Sequence, residues 1–392
     1  MKKVFLAILA IAGIIFAATA QENETIYIMK NGAVTHEIAI SDIDSIIFYK
    51  PDPVPVAGIN FGAPIIHDFT VNSTIYPSFT AEITRCSDFD GEHVLIVDRN
   101  EPKLLKAADI LANNTLTSLP LKPDHLVSEV EVETFAISAG QLSHRHVYLC
   151  NLALVGQKLR VYYYDTPTSD PQKVLEYDNT IARFGDNITV NLDENGNGYA
   201  YFVQFDSGGA NKIIRFEVTN FTEFSEVPVE ITTSIYVSLY ANYNQVGKMD
   251  SYLISGTTTP IIQLLDKDGV KLYEFETVVN EGGVDSRNGT DVHIAEYNNG
   301  RYLIMTSGRR FPFEPASTLF VYDISEGSDL ISSLMSFAEK HPEPVFSYSM
   351  DAYFSVAPSA NTAWAIVDNK LVIFTAAPHC GFALIEFPKN QQ

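Results

Sequence analysis

The sequence predicts an all-β protein folded as a six-bladed β-propeller. Three observations carry this. The chain of 392 residues is rich in strand formers, with 24 Phe, 20 Tyr and frequent β-branched side chains. A strand, a polar break and a second strand recur six times. The breaks are spaced at about 50 residues, close to what a four-stranded blade requires.

The repeat reads as follows. His93 to Val97 breaks at Asp98-Arg99-Asn100-Glu101-Pro102, and Val147 to Leu152 breaks at Val155-Gly156-Gln157. Tyr199 to Phe205 breaks at Asp206-Ser207-Gly208-Gly209, and Tyr252 to Ile254 at Ser255-Gly256-Thr257. Tyr302 to Met305 breaks at Ser307-Gly308-Arg309-Arg310, and Leu371 to Phe374 at Ala377-Pro378-His379-Cys380. A second strand follows each break, most clearly at Leu159 to Tyr164, Lys212 to Val218, Ile261 to Leu265, Leu319 to Ile324 and Phe382 to Phe387. After the first break, Leu104 to Ala112 reads equally as a short helix. The last interval is long, about 69 residues, because Leu330, Ile331, Leu334, Met335 and Ala338 share one helical face before Pro342.

A single four-stranded sheet has two apolar faces and cannot bury both alone. Stacking the sheets and closing the circle buries them all. Two alternatives stay open. Residues 57–80 can complete a seventh blade, or the strands can form a pair of β-sandwiches, which predicts hairpins without the long period.

Ahead of the propeller, taken as residues 57–392, three short segments differ in character. Lys2 and Lys3, the apolar run from Val4 to Ala17 and Ala18-Thr19-Ala20 have the charge, length and cleavage chemistry of a secretory signal peptide over residues 1–20. An uncleaved membrane anchor is disfavoured because the run is short for a span, and the mature chain is expected to hold no transmembrane segment. Residues 21–50 form a compact β pattern: Ile26 and Ile28 alternate, Asn31-Gly32 marks a hairpin, Ile38 and Ile40 alternate again, and Ser45 to Tyr49 is a third apolar run. Pro51, Pro53 and Pro55 stiffen a linker over residues 51–56.

Lys30-Asn31-Gly32 followed by Asp42 to Phe48 resembles a short leader on secreted proteins of Bacteroides-type bacteria. The run Val147 to Asn151 with Leu159 to Tyr164 resembles uncharacterised secreted propeller-like domains, domains of unknown function, from the same bacteria. These resemblances imply a source and an exported location, periplasmic or at the cell surface. They imply no activity.

The net charge of −22 would repel a polyanion, which excludes nucleic acid and leaves neutral glycans, cations and proteins. Cys86, Cys150 and Cys380 are far apart and odd in number; export permits one bridge, and three buried small side chains is the plainer reading. The sequence lacks a Gly-x-Ser-x-Gly elbow, a His-Glu-x-x-His pair, a sialidase-type box and Cys-x-x-Cys spacing; Gly247-Lys248 lacks the rest of a phosphate loop. No cofactor is indicated. Asp193, Asn195 and Asn197 have calcium-loop spacing, but Gln204 stands where a bidentate Glu is needed, so a tight polar turn is preferred and no metal is assigned. His144 and His146 would share a face if both lay on a strand, without a third ligand. His293 in an apolar strand reads as a core histidine, and Trp364 as core.

In a propeller the loops joining second and third strands gather at one end. That end is expected to display Arg99, Glu101, Asp206, Ser207, Arg309, Arg310, Glu314 and His379. The segment Arg309 to Pro315 is the richest, since two guanidiniums, two rings and a carboxylate can stack on a sugar or clamp a carboxylate. The expected function is an exported, non-enzymatic binding or scaffold propeller for a glycan or an envelope protein. The alternative is a hydrolase, lyase or lactonase acting on sugars or sugar acids, with Glu101, Asp206, Glu314 and His379 supplying the groups.

Overall fold

The computed structural model describes residues 25–30, 33–39, 61–71, 73, 84–98, 102–121, 137–204, 210–237, 242–246, 251–256, 259–276, 291–308, 316–351 and 360–389. The chain divides into two units, Met1–Pro53 and Val54–Gln392. In the first, β1 (Thr25–Lys30) and β2 (Ala33–Ala39) pair antiparallel, with Ile26 opposite Ile38. They flank the Asn-Gly turn signal. The signal-peptide segment, the apolar run 45–49 and the linker 51–56 lie outside the described residues.

The second unit opens with β3 (Ile65–Thr70) and then runs through six antiparallel sheets. Blade 1 is β4 (Thr84–Phe89), β5 (His93–Asp98), β6 (Lys103–Lys106), helix α1 (Ala107–Asn113) and β7 (Ser118–Leu119). Blade 2 is β8 (Ile137–Ser143), β9 (His146–Asn151), β10 (Lys158–Tyr164) and β11 (Gln172–Asp178). Blade 3 is β12 (Thr189–Leu192), β13 (Gly198–Val203) and β14 (Ala210–Thr219), with β15 (Glu223–Phe224) and β16 (Val229–Val237) both pairing with β14. Blade 4 is β17 (Asn242–Gln245), β18 (Ser251–Gly256), β19 (Thr259–Asp266) and β20 (Lys271–Glu276). Blade 5 is β21 (Asp291–Tyr297), β22 (Gly300–Ser307), β23 (Ser317–Asp323), helix α2 (Leu330–Lys340) and β24 (Phe346–Asp351). Blade 6 is β25 (Asn361–Val367), β26 (Lys370–Ala377) and β27 (Gly381–Phe387), completed by β3.

The first strand of each sheet touches the first strand of the next, and β25 returns to β4. These six strands are the inner wall of a ring. Each seam between sheets is filled by apolar side chains, for example Tyr201, Ile213 and Tyr252 between blades 3 and 4, and Phe69, Val94 and Phe374 between blades 6 and 1. Middle strands packed on both faces read as near-continuous apolar runs, as in β26 and β27, whereas the outer β11 alternates with solvent.

The ring closes by sharing its last sheet between distant parts of the chain. β3 pairs with β27, Thr70 opposite Gly381 and Ile65 opposite Glu386. Phe69 stacks on Phe382 at 5.0 Å. Within the region 57–80, β3 therefore completes blade 6 and belongs to no seventh blade, and the continuous ring rules out paired sandwiches. Blade 6 cannot leave the ring without breaking main-chain bonds to both parts of the chain.

Among the described residues, Val155-Gly156-Gln157 and Pro378 to Cys380 join second to third strands, while Ser255, Gly256, Ser307 and Ala377 still belong to the ends of β18, β22 and β26. The helical insert is α2, between β23 and β24. Asp329 and Ser332 cap it reciprocally, and Phe337 packs on Tyr322 at 5.2 Å. The ambiguous segment after the first break is both things in succession, β6 and then α1. His144 does not lie on a strand: with Arg145 it forms the two-residue turn between β8 and β9, at φ 49° and 71°. The left-handed backbone needed for that turn takes His144 off the pleat, so it shares no strand face with His146.

Candidate functional site

The inner wall carries a belt of polar side chains that bind main-chain groups of the neighbouring blade. Asp88 of β4 accepts the N–H of Phe89 through Oδ1 at 2.8 Å and that of Leu142 on β8 through Oδ2 at 2.7 Å. Gln141 of β8 accepts the N–H of Val190 on β12. Asn244 of β17 donates to the Val292 carbonyl at 3.0 Å and to Asp291 Oδ1 on β21. Asp291 Oδ2 accepts the N–H of Thr362 on β25 at 2.8 Å. Asn361 Oδ1 accepts the N–H of Ser87 on β4 at 3.1 Å. Between blades 3 and 4 the link sits one strand further out, from Asn191 to the Tyr252 hydroxyl at 2.8 Å.

Inner strands meet at their edges without forming a sheet, so their amides need side-chain acceptors. The belt supplies them. Around the axis the described residues leave a cavity of about 30 Å³ lined by Asp88, Gln141, Asn244, Asp291, His293 and Asn361 among others, room for a water or two. His293 Nε2 lies 3.5 Å from Asp291 Oδ1 and is buried without a hydrogen bond. Burial pushes the Asp88 carboxyl up to about 7, against the pull of its two amide donors. Burial likewise pushes the Cys86 thiol, which donates to the Gly140 carbonyl at 3.2 Å, up to about 12. A thiol held protonated in this way is no nucleophile at neutral pH.

A larger cleft, 670 Å³, opens at the seam of blades 6 and 1, at the end where inner strands turn into second strands. Its walls are the β4–β5 turn with Glu92 and His93, α1 with Ala108 and Leu111, and the β25–β26 turn with Val367 and Asp368; Lys106, Lys370 and Glu386 complete it. Glu386 takes Lys370 Nζ at 2.5 Å and His67 Nε2 at 2.9 Å, and His67 Nδ1 meets Asn114 Oδ1 at the end of α1 at 2.7 Å. Burial acts to raise the Glu386 carboxyl, but the bonds from Lys370 and His67 outweigh it and hold it below the usual range. Asp90 Oδ1 accepts the N–H groups of Glu92 and His93, and Asp90 Oδ2 stands 3.6 Å from His93 Nδ1. Neither of those two facing atoms has a hydrogen-bond partner.

A family described as a domain of unknown function (DUF4623) matches residues 50–390. The chain belongs to the DUF4623 family. A DUF4623 protein from Bacteroides eggerthii has the same fold, with TM-score 0.73 and 23% identity over 95% of this chain and 84% of that one. A streptogramin B lyase matches at TM-score 0.44 and 10% identity, over 83% of this chain and 98% of the other. A protein of unknown function from Desulfotomaculum acetoxidans matches at TM-score 0.42 and 10% identity, over 93% and 96%. Among curated proteins, none matches the sequence.

In this DUF4623 chain, Arg99, Glu101, Asp206, Ser207, Arg309, Arg310 and Glu314 lie outside the described residues. His379 is described: it is half-buried in the β26–β27 turn at φ 63°. Asp193 forms a polar turn, its Oδ1 accepting the N–H groups of Asn195 and Asn197 at 2.8 and 2.9 Å. His146 Nδ1 meets the Asp165 carbonyl and the Tyr163 hydroxyl, both at 3.0 Å, while His144 Nε2 meets the Leu192 carbonyl at 2.7 Å. No group of three or more His, Cys, Asp or Glu fit to hold a metal occurs among the described residues. Trp364 is partly buried against the core between blades 5 and 6.

Reading the breaks alone misses the belt. Its signal is a polar residue inside an apolar first strand: Asp88 beside Phe89, Gln141 beside Leu142, His293 between Val292 and Ile294, Asn361 after Ala360.

Proposed function

We propose that this chain is an exported, non-enzymatic binding or scaffold propeller whose partner is a glycan or an envelope protein, in the periplasm or at the cell surface. One observation carries the non-enzymatic part. Among the described residues, the carboxylates that line the axial cavity, Asp88 and Asp291, are engaged with main-chain amides of adjacent blades. Hydrolysis or elimination needs groups free to exchange protons with a substrate. The belt uses its acids to hold strands together, and the described residues leave a cavity of about 30 Å³ between them. The export part rests on residues 1–20, and the acidic charge favours partners other than nucleic acid.

The test is a screen of the purified chain against glycans and envelope proteins, with turnover assays on sugars, sugar acids and lactones alongside. Binding without turnover is expected, weakened by joint Arg309→Ala and Arg310→Ala substitution. Turnover of any of these substrates would overturn the reading. If binding is found and the double substitution leaves it unchanged, the loop assignment fails. Export is checked by the N-terminus of the cellular protein, expected at Gln21.

The hydrolase, lyase or lactonase reading has one observation in its favour. Asp88 held near 7 could serve as a general acid. It requires turnover that Asp88→Asn abolishes.

A further inference from the structure

The cleft between blades 6 and 1 is lined by Lys106 and Lys370 together with Glu92, Asp368 and Glu386. With 48 acidic against 26 basic residues, the described lysines are mostly neutralised, as Lys158 and Lys173 are on Glu176. Lys106 differs. It is exposed at the cleft, on the residue before α1, and forms no ion pair with a described residue. Opposite it, Lys370 neutralises Glu386, whose second oxygen is hydrogen-bonded to His67, and Asp368 on the same wall is exposed. Glu92 at the rim is paired with Arg145 of blade 2 at 2.6 Å. His93 lines the same wall with a buried Nδ1 that makes no hydrogen bond and lies 3.6 Å from Asp90 Oδ2. Leu111 and Val367 supply an apolar surface beside these groups.

A cleft of this volume, with an ammonium that no described carboxylate pairs, an imidazole and an apolar wall, suits a small organic anion. We propose that it binds a carboxylate-bearing small molecule, its anionic group at Lys106 and its apolar side on Leu111 and Val367. The carboxylate can come from a uronic acid unit of a glycan or from a free organic acid. The inference rests on reading the chain as a binding propeller and names a site for that binding that does not include Arg309 or Arg310.

The experiment is calorimetric titration of the purified chain with glucuronic acid, succinate and glucose, repeated on Lys106→Ala and Lys106→Arg. At least one acid is expected to bind, with loss of about tenfold or more in Lys106→Ala, recovery in Lys106→Arg and little binding of glucose. Preference for glucuronic acid upholds the site and assigns it to glycans; equal or better binding of succinate upholds it and assigns it to free acids. Absence of binding by both acids, equal binding of glucose, or acid binding indifferent to Lys106→Ala overturns it. If glycans or envelope proteins bind while both acids fail, the cleft assignment falls and the broader binding reading stands. Turnover of a sugar substrate strikes at the broader reading and leaves the cleft to these titrations.

Discussion

Asn361 on the inner strand of blade 6 accepts the main-chain N–H of Ser87 on the inner strand of blade 1, at 3.1 Å and out of contact with solvent. This bond spans the seam at which the ring closes, and it repeats a relation found between Asp291 and Thr362 and between Asp88 and Leu142. The belt is thus a structural element built from side chains of residue types often met in active sites.

Removing a belt acceptor strands a buried amide. Asp291→Ala leaves the Thr362 N–H and the Asn244 amide without their partner. The expected loss is about 2–4 kcal/mol, since each unsatisfied buried donor costs about 1–3 kcal/mol. Urea denaturation of the variant should lower the midpoint at unchanged slope. An unaltered midpoint would remove the belt's claim to stabilise the ring.

Asp88 gives the belt a pH dependence. Its carboxyl is raised from 3.8 to about 7, so between these values the folded chain holds a proton that the unfolded chain has released. The contribution is full below pH 3.8 and is lost as pH rises through about 7. Wild-type stability, measured relative to Asp88→Asn, should fall with rising pH across this window, by at most about 1.4 kcal/mol per pH unit. Parallel stability curves for the two proteins would contradict the assignment.

Two glycines separate backbone strain from ring closure. Gly156 and Gly381 have φ of 85° and 90°, but a Cβ at Gly156 meets nothing within 4 Å, whereas one at Gly381 comes 2.3 Å from the Phe69 carbonyl oxygen on β3. Gly156→Ala should cost about 1–2 kcal/mol from its left-handed backbone alone. Gly381→Ala should cost clearly more, because β3 must shift off β27. Equal costs in thermal unfolding would mean that β3 adapts freely.

The three cysteines are buried and in no disulfide, and burial raises the thiols of Cys86 and Cys150. A thiol reagent at pH 8 should find none in the folded chain and all three in guanidinium, without reductant. Fewer than three after unfolding would reveal a bridge.

Much of the ring could be read along the chain. The blade period and the existence of the α2 insert depend on local alternation and turn residues; of the helical face read as Leu330, Ile331, Leu334, Met335 and Ala338, however, Ile331 and Met335 are exposed, and Phe337 is buried beside Leu334 instead. Local rules failed where a turn imposed its own backbone, as at His144 and Arg145. They also failed where a short segment changed state, as from β6 to α1.

What the sequence by itself determined was the all-β class and the six-fold period, because four-stranded sheets with two apolar faces leave few ways to be buried. Only the tertiary structure decided that β3 pairs with β27, that Asp88, Asp291 and His293 meet at one axis, and that Lys106 and Glu386 line one cleft. These residues are separated by long stretches of chain, and main-chain pairing across such distances leaves no periodic trace. The ring's closure sets the edges that must be capped and the acids that cap them.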